Sequence, residues 1–550
     1  MSRDVAILKP DGTPFPPVQP GKAKALANNS NVPYDAADNY GDHMAAWQPY
    51  LWSVDGEKNI YRDRIVSRIR DIERNDGWAS GGITRIVDNV IGATFRPVAK
   101  PDYRSLALYS GNKGFDADWA DEFGRAVEAS WRRWADDPAK YCDAQRSLTV
   151  PQMLRLAYRH KVIDGDALAV LHWLPERVGM GRARYCTSIQ LIDPDRLSNP
   201  QLRFDQQTMR GGVEVDPRFD VAVAYWIRKA HQGDWFSAAQ SVTWERIQRE
   251  TSWGRPIVVH DFERDRTPQH RGAGGVLTPV LQRLKMLVKY DAVELDAAIL
   301  NAVFGAYIES PFDHNLVAEA LGDDGNLPQY QTDRAAFHKE HRTVLGGAKM
   351  PILYPGERIT SVSAARPTSN FAEFEHAALR NVSAALGISA EQLSQDWSRT
   401  NYSSARAALL EAWKTLARRR NDFAVNFASP IYGAFLEEVM EVDDLPMPSG
   451  QVPDYLECRT EYCRVKWMGP GRGWIDPVDE KAGAILGIDA GLSTLEMECA
   501  EQGLELEEVL DQRAREIKMF EDRGIALPSW AQDAVPAREA AKKPQNPEPT

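Results

Sequence analysis

PVLQRLKMLVKYDAVELDAAILNAVF, residues 279–304, sets Val280, Leu284, Leu287, Leu295 and Ile299 on one stripe at helical spacing, with a proline where a first turn accepts one. At 1.5 Å per residue this helix would run roughly 39 Å. Residues 305–367 follow, with strand signals at FGAYIES (304–310) and MPILY (350–354), a polar middle and a turn at Pro355-Gly356. A shorter helix is expected over 370–386: Asn370 and Glu373 have capping-box spacing, Phe371, Phe374, Ala378 and Val382 point inward, and Gly387 stops it. A polar loop, residues 388–402, then leads into a third helix from about Ser403 to Met440, roughly 55 Å if unbroken, which Pro430 must kink or interrupt.

Upstream, Tyr61, Ile65, Ile69 and Ile72 recur at helical spacing between Asn59 and Arg74, while Arg62, Arg64, Arg68, Arg70 and Arg74 fill other positions. Asn75, Asp76 and Gly77 stop this helix, and another runs from Trp78 to Ile91. Residues 115–138 and 148–163 are helical in pattern. From Ala167 to about 262, short apolar runs (ALAVLHWL, SIQLI, VAVAYWI, PIVVH) between Gly, Pro and Asp mark a β-rich part. Residues 478–524 carry thirteen acidic and five basic side chains, a net −8 of the chain's −12, and read as acidic surface helices. Residues 1–30 and those after Pro528 have the composition of loose ends. The fold class is α+β.

The 550 residues suffice for several domains or one large unit, and 43% hydrophobic with 26% charged residues excludes collagen-like, coiled-coil and wholly disordered chains. A net charge of −12 argues against coating DNA through an overall basic surface. Five scattered cysteines fit a reduced cytosol, and Cys458 with Cys463 lacks a second pair for zinc. The longest apolar stretch, Ala297 to Ile308, is broken by Asn301 and too short to span a bilayer, so a cytoplasmic chain without a membrane segment is expected.

Signals for chemistry are weak. Arg271-Gly-Ala-Gly-Gly275 precedes a helix as a phosphate loop would, yet it lacks the Gly-Lys-Ser/Thr ending and is first of all a tight turn. His338 with His341, and His260 with His270, read as surface or satisfied core histidines, having no companion ligands at metal spacing. Asp164-Gly165-Asp166 offers too few oxygens for a hard cation and is foremost a turn signal. No Gly-x-Ser-x-Gly elbow is present. Arg418, Arg419 and Arg420, with Lys414, can face DNA phosphates, but three consecutive helical residues spread around the circumference, so solvent or a subunit contact serves equally. Trp131 with Trp134, and Trp467 with Trp474, read as packing anchors. No catalytic residue, metal or cofactor is expected.

Several stretches in fixed order resemble the lambda-type portal proteins of tailed bacteriophages. They are Tyr34-Asp-Ala-Ala37, RDRIVSRIRDIERNDGWASGGI (62–83), VIGATFRP (90–97), Trp131-x-x-Trp134, DGDAL (164–168) and LIDPDRLSNP (191–200). GGVEVD (211–216) before AYWI, residues 260–298, MPILYPGERI (350–359), residues 371–389, TNYSSARAALLEAW (400–413), WMGPGRGWIDP (467–477) and residues 491–517 continue the series. Asp479, where Lys is expected, and Glu505, where Asp is commoner, depart from it.

The resemblance implies a portal-type fold and a ring oligomer of about twelve subunits at one capsid vertex, through which double-stranded DNA enters and leaves. Its partners would be the terminase large subunit, a head-tail adaptor protein, and the major capsid and scaffold proteins; its place would be the virion, after assembly in the host cytoplasm. The rivals are another packaging or capsid component, such as a motor enzyme. By resemblance the chain divides into an arm (1–30), a wing (31–278), a first stem helix (279–304), a clip (305–367) and a second stem helix (368–387). A tunnel loop (388–402), a long wing helix (403–442), a wing return (443–477), acidic crown helices (478–527) and a tail (528–550) complete it. The channel candidates are Gln395, Asp396, Arg399 and Asn401 in the loop and Arg283, Lys285 and Lys289 in the stem. Arg399 either touches passing phosphates or simply pairs with Asp396 or caps a helix end.

Overall fold

The computed structural model describes residues 46–303, 371–398, 400–471 and 477–527, with short pieces at 35–37, 44, 307–309, parts of 332–351, and 358–360. Both expected loose ends, the capping residue Asn370, His338, His341, Pro355-Gly356 and Trp474 lie outside the described residues.

The first helices follow the expected pattern with one shift of phase. After α1 (Val54–Lys58), α2 spans Arg62–Asn75 and α3 Gly77–Val90. Asp76 serves both: its N–H donates to the Ile72 carbonyl, and its carboxylate accepts the Ala79 N–H at 2.7 Å. Gly77, expected as a stop, is therefore the first residue of α3. On α2 the buried face is Arg62, Val66, Ile69 and Ile72, whereas Tyr61, expected on the stripe, is exposed. Helices α4 (Tyr103–Ser110), α5 (Ala117–Ala135) and α6 (Val150–Asp164) follow; α6 starts at a Thr149–Gln152 capping box and stops at Gly165, φ +88°.

The expected strands form two antiparallel sheets. The first has the order β3 (Thr187–Leu191), β2 (Asp166–Trp173), β8 (Val258–Phe262). The second runs β4 (Met209–Arg210), β5 (Val213–Asp216), β6 (Val221–Arg228), β7 (Trp244–Gln248). Because side chains alternate along a strand, Ala167, Ala169 and Leu171 of β2 join the large helical core, while Leu168 and Val170 join a smaller core with Val213, Val215, Tyr225 and Ile227. A further pair, β1 (Arg96–Ala99) with β13 (Val465–Met468), ties the C-terminal part to the N-terminal helices. Trp131 and Trp134 pack on Phe435, the latter stacked at 4.6 Å, and Trp467 stacks on Phe95 at 4.9 Å, so these rings are anchors.

Helix α7 (Leu281–Val303) and α8 (Phe371–Leu386) run antiparallel, and the side chains of Ile299 and Phe371, expected inward, lie outside the described residues. Val280, Leu284 and Leu287 are buried in the same core cluster as Ala378, Leu379, Val382 and Leu386. Leu295 and Phe374, expected inward, are instead 63% and 53% exposed, because they lie beyond the turns that meet the body; Phe374 rests on Tyr290. Between these helices, β9 (Tyr307–Glu309) pairs with β12 (Arg358–Thr360), and β10 (Arg342–Leu345) with β11 (Ala348–Pro351). The strand expected at MPILY thus covers Met350 and Pro351, and the remainder of that run lies outside the described residues.

The loop expected over 388–402 contains a short helix, α9 (Ala390–Ser394). Then α10 (Tyr402–Phe423), a π-helical turn (Ala424–Ala428) and α11 (Ser429–Val442) form one continuous helical path. Pro430 causes the interruption without a break: it has no N–H to donate, and the preceding turn shifts to wider hydrogen bonds, Ser429 N–H reaching the Ala424 carbonyl. Helices α12 (Pro477–Asp489), α13 (Leu495–Glu501) and α14 (Leu506–Asp522) bury no side chain, as surface helices should. Among the described residues no helix is long and apolar enough to cross a membrane.

Candidate functional site

The segment after α8 is held by local hydrogen bonds at almost every step. Gly387, φ +73°, donates to the Ser383 carbonyl and turns the chain; Ser389 and Gln392 then form the reciprocal cap of α9 at 3.1 and 3.0 Å. Leu393 is buried, and it can be because Gly82 of α3 has no side chain: a Cβ there would stand 2.6 Å from Leu386 and 3.1 Å from Leu393. Sequence spacing showed the polar character of 388–402 but not this anchor, which needs α3 to be in place.

Three of the four loop candidates make local bonds. Gln395 closes α9 in the left-handed region, φ +58°, and its side-chain amide donates to the Gln392 carbonyl. Asp396 accepts the Ser398 N–H at 3.0 Å. Asn401 caps α10, accepting the Ser404 N–H at 2.8 Å. Residues 395–398 are exposed, with Trp397 at 38%, and Arg399 lies outside the described residues.

The stem candidates divide between two faces. At about 100° per residue, Lys285 and Lys289 lie about 40° apart, opposite the packed Val280–Leu284–Leu287 side. Lys285 approaches Asp71 at 3.9 Å. Arg283 turns instead into a groove of about 510 Å³ between α7 and α8, beside Met286, Phe374 and Asn381.

The arginine run on α10 is spoken for. Arg418 pairs with Asp422 and Glu263; Arg419 donates to the last carbonyl of α8, Leu386; Arg420 donates to Asn89 and Val90 at the end of α3 and to Pro470. Two of the three therefore cap helix C-termini, where cations are favoured.

The glycine-rich stretch and the Asp-Gly-Asp motif meet in a buried ionic cluster. Asp166 accepts from Arg62 Nε at 3.2 Å, Arg271 Nε at 3.2 Å, the Gly272 N–H at 2.7 Å, and faces His260 Nε2 at 3.0 Å. Burial opposes its ionisation, but Arg271, the His260 hydrogen bond and Arg62 outweigh that and hold the carboxyl well below the usual carboxylate range. Gly272 and Gly275 serve close packing: a Cβ would lie 2.1 Å from the Gly165 carbonyl and 2.2 Å from that of Ile163. Asp193, Asp195 and His231 converge at ligand spacing, yet Arg70 holds Asp193 and Asp195, and Arg62 also holds Asp195. Guanidinium groups thus occupy the place a cation would take. His270 is likewise satisfied, between Asp55 and the Asp220 carbonyl. Sequence reasoning missed this cluster, although Arg62 falls at the spacing of Val66 and Ile69 and so signalled a buried charge.

The chain thus combines helical bundles on small antiparallel sheets, two antiparallel helices flanking an insertion and a densely hydrogen-bonded segment between α8 and α10. The model of the lambda family of phage portal proteins matches residues 40–420, and the chain belongs to that family. It is 31% identical over 504 residues to the portal protein of Escherichia phage N15, covering 90% of this chain and 92% of that one. Portal protein B of Escherichia phage lambda is also 31% identical, with 90% and 91% covered, and a probable portal protein of Halomonas phage phiHAP-1 is 23% identical, with 88% and 86% covered. Among solved structures, a chain of a native gene transfer agent virion is 16% identical with a TM-score of 0.38, covering 77% of this chain and 98% of that one.

Proposed function

We propose that the chain is the subunit of a ring of about twelve copies at one capsid vertex, the channel for DNA packaging and ejection, and a structural component rather than an enzyme. The observation that carries this is family membership over residues 40–420, with relatives called portal proteins covered across nine-tenths of both chains. The terminase large subunit docks on the clip (305–367) during packaging and the head-tail adaptor protein afterwards, while major capsid and scaffold proteins surround the ring. In this reading α7 and α8 are the stem, residues 388–402 the tunnel loop, α10 to α11 the long wing helix, and α12 to α14 the crown. Residues 31–278 and 443–477 complete the wing.

A channel must hold its cargo loosely. Duplex DNA carries one charge per about 1.7 Å, so an acidic ring with isolated basic contacts, such as Lys285, Lys289 and Arg399, permits sliding. The test is assembly without nucleotide or metal: light scattering should give a particle of about 700 kDa, about twelve chain masses, and electron microscopy an axial ring with a central hole. A stable monomer at micromolar concentration refutes the proposal.

A further inference from the structure

Helices α12 to α14 bury no side chain, yet the first turn of α14 has defined ionic partners. The first turn of α14 presents Glu507 and Glu508 to β1 and α5. Glu508 takes a fork of two bonds from Arg96, 2.8 and 2.5 Å, and a third from Arg132 at 3.2 Å. Glu507 is shared by Lys100 at 3.1 Å and Arg125 at 3.2 Å. Each carboxylate is therefore clamped by two cations. Behind them lies a cavity of about 310 Å³, lined by Lys100, Lys466, Glu496, Leu504 and Glu505, so α13 and α14 sit on β1 and β13 without close packing.

We infer that Arg96, Lys100, Arg125 and Arg132 form a masked site for the phosphates of duplex DNA, and that Glu507 and Glu508 cover it as carboxylate stand-ins. Three observations carry this. The guanidinium fork that holds Glu508 has the geometry that also takes a phosphate. The four cations come from β1, the residue after it (Lys100) and α5, so they stay assembled when α14 leaves, with Asp121 3.8 Å from Lys100 and Glu128 3.5 Å from Arg132 as their remaining acidic neighbours. The cover is cheap to lift, because partly exposed ion pairs over a loosely filled cavity open far more readily than a packed core. DNA as the ligand rests on the channel reading above.

The assembled full-length ring tests this with a 30-base-pair duplex, by fluorescence anisotropy at 50 to 200 mM KCl. The Glu507→Gln/Glu508→Gln variant keeps the helix but removes both stand-in charges, and it should bind the duplex at least ten-fold more tightly than the parent at low salt. Four added phosphate contacts would steepen the slope of log K against log salt by about 3.6, a loss of roughly 150-fold across a four-fold rise in salt. Adding Arg96→Gln and Arg132→Gln should cancel most of the gain. Hydrogen exchange in α14 should rise when the parent ring meets the duplex but not at matched KCl. If the carboxylate variant gains neither affinity nor slope, or keeps the gain in full once Arg96 and Arg132 are replaced, the masked site is refuted. A ring that packages DNA yet shows no such gain overturns this inference alone; a chain that forms no ring overturns the channel reading instead.

Discussion

Replacing Asp166 by Asn should be among the most damaging single changes in the chain. The carboxylate lies fully buried where α6 passes into β2, and it is the shared counter-charge of Arg62 and Arg271, themselves 1% and 4% exposed. Asparagine retains one acceptor, enough for the Gly272 N–H, but turns an amide donor or a neutral oxygen toward two buried guanidinium groups. Removing one partner of a buried ion pair costs about 3–5 kcal/mol, and two cations share this one, so about 4 kcal/mol is expected. For a unit of 150–250 residues this lowers the melting temperature by about 8–16 °C. The pH dependence adds a second reading. The folded-state pKa is depressed, so the stability it contributes is fully present above the unfolded carboxylate value of about 3.9 and is lost as pH falls through the folded one. The gap between parent and variant should be constant above about pH 5 and shrink below about pH 4. Differential scanning calorimetry over pH 3 to 8 measures both. A shift of less than about 2 °C at neutral pH, against the expected 8–16 °C, would show that solvent or other carboxylates replace Asp166 and that the cluster is not the keystone of this junction.

Arg420→Ala removes caps at 2.9, 2.7 and 3.0 Å from Val90, Asn89 and Pro470 and should destabilise by about 2–3 kcal/mol, with hydrogen exchange rising first near the end of α3. Gly272→Ala should fail to fold or lose several degrees, since its Cβ meets a backbone oxygen at 2.1 Å, whereas Gly81→Ala, with nothing within 4 Å, should stabilise α3 by about 0.5–1 kcal/mol in the same melts. Burial, with the Glu505 charge beside it, pushes Glu128 up to about 7, so stability should fall as pH rises from about 4.5 to 7, by at most about 3 kcal/mol. Glu128→Gln keeps an acceptor for the Ala99 N–H and should flatten that part of the profile. Arg399→Ala should leave the ring intact and lower packaged or retained DNA, while Trp397→Ala disturbs the order of the loop; particles that fill and hold DNA normally at every salt concentration deny Arg399 a role in translocation.

Local rules carried much of this molecule. Apolar spacing on α2, α3 and α5 to α8, the proline before α7 and the short apolar runs of β2, β3, β6 and β8 each depend on residues close in the chain, so their pattern can be read there; helix α4 and the Thr149–Gln152 and Ser389–Gln392 caps are equally local but went unread. The family is readable for the same reason: its marker words are short and keep their order. What a side chain does depends on who arrives from elsewhere. Asp-Gly-Asp looked like a turn, and it is one, but Asp166 becomes a buried anion only when α2 brings Arg62 and the glycine stretch brings Arg271. Arg418 to Arg420 looked like a basic surface until α3 and α8 presented their bare carbonyl ends. Leu295 and Phe374 obeyed the helical stripe yet stand exposed, because periodicity gives a helix a face without saying how many of its turns meet a neighbour. Charge pairing, capping at a distance and the extent of burial all depend on distances between segments far apart in sequence, and only the tertiary structure sets those.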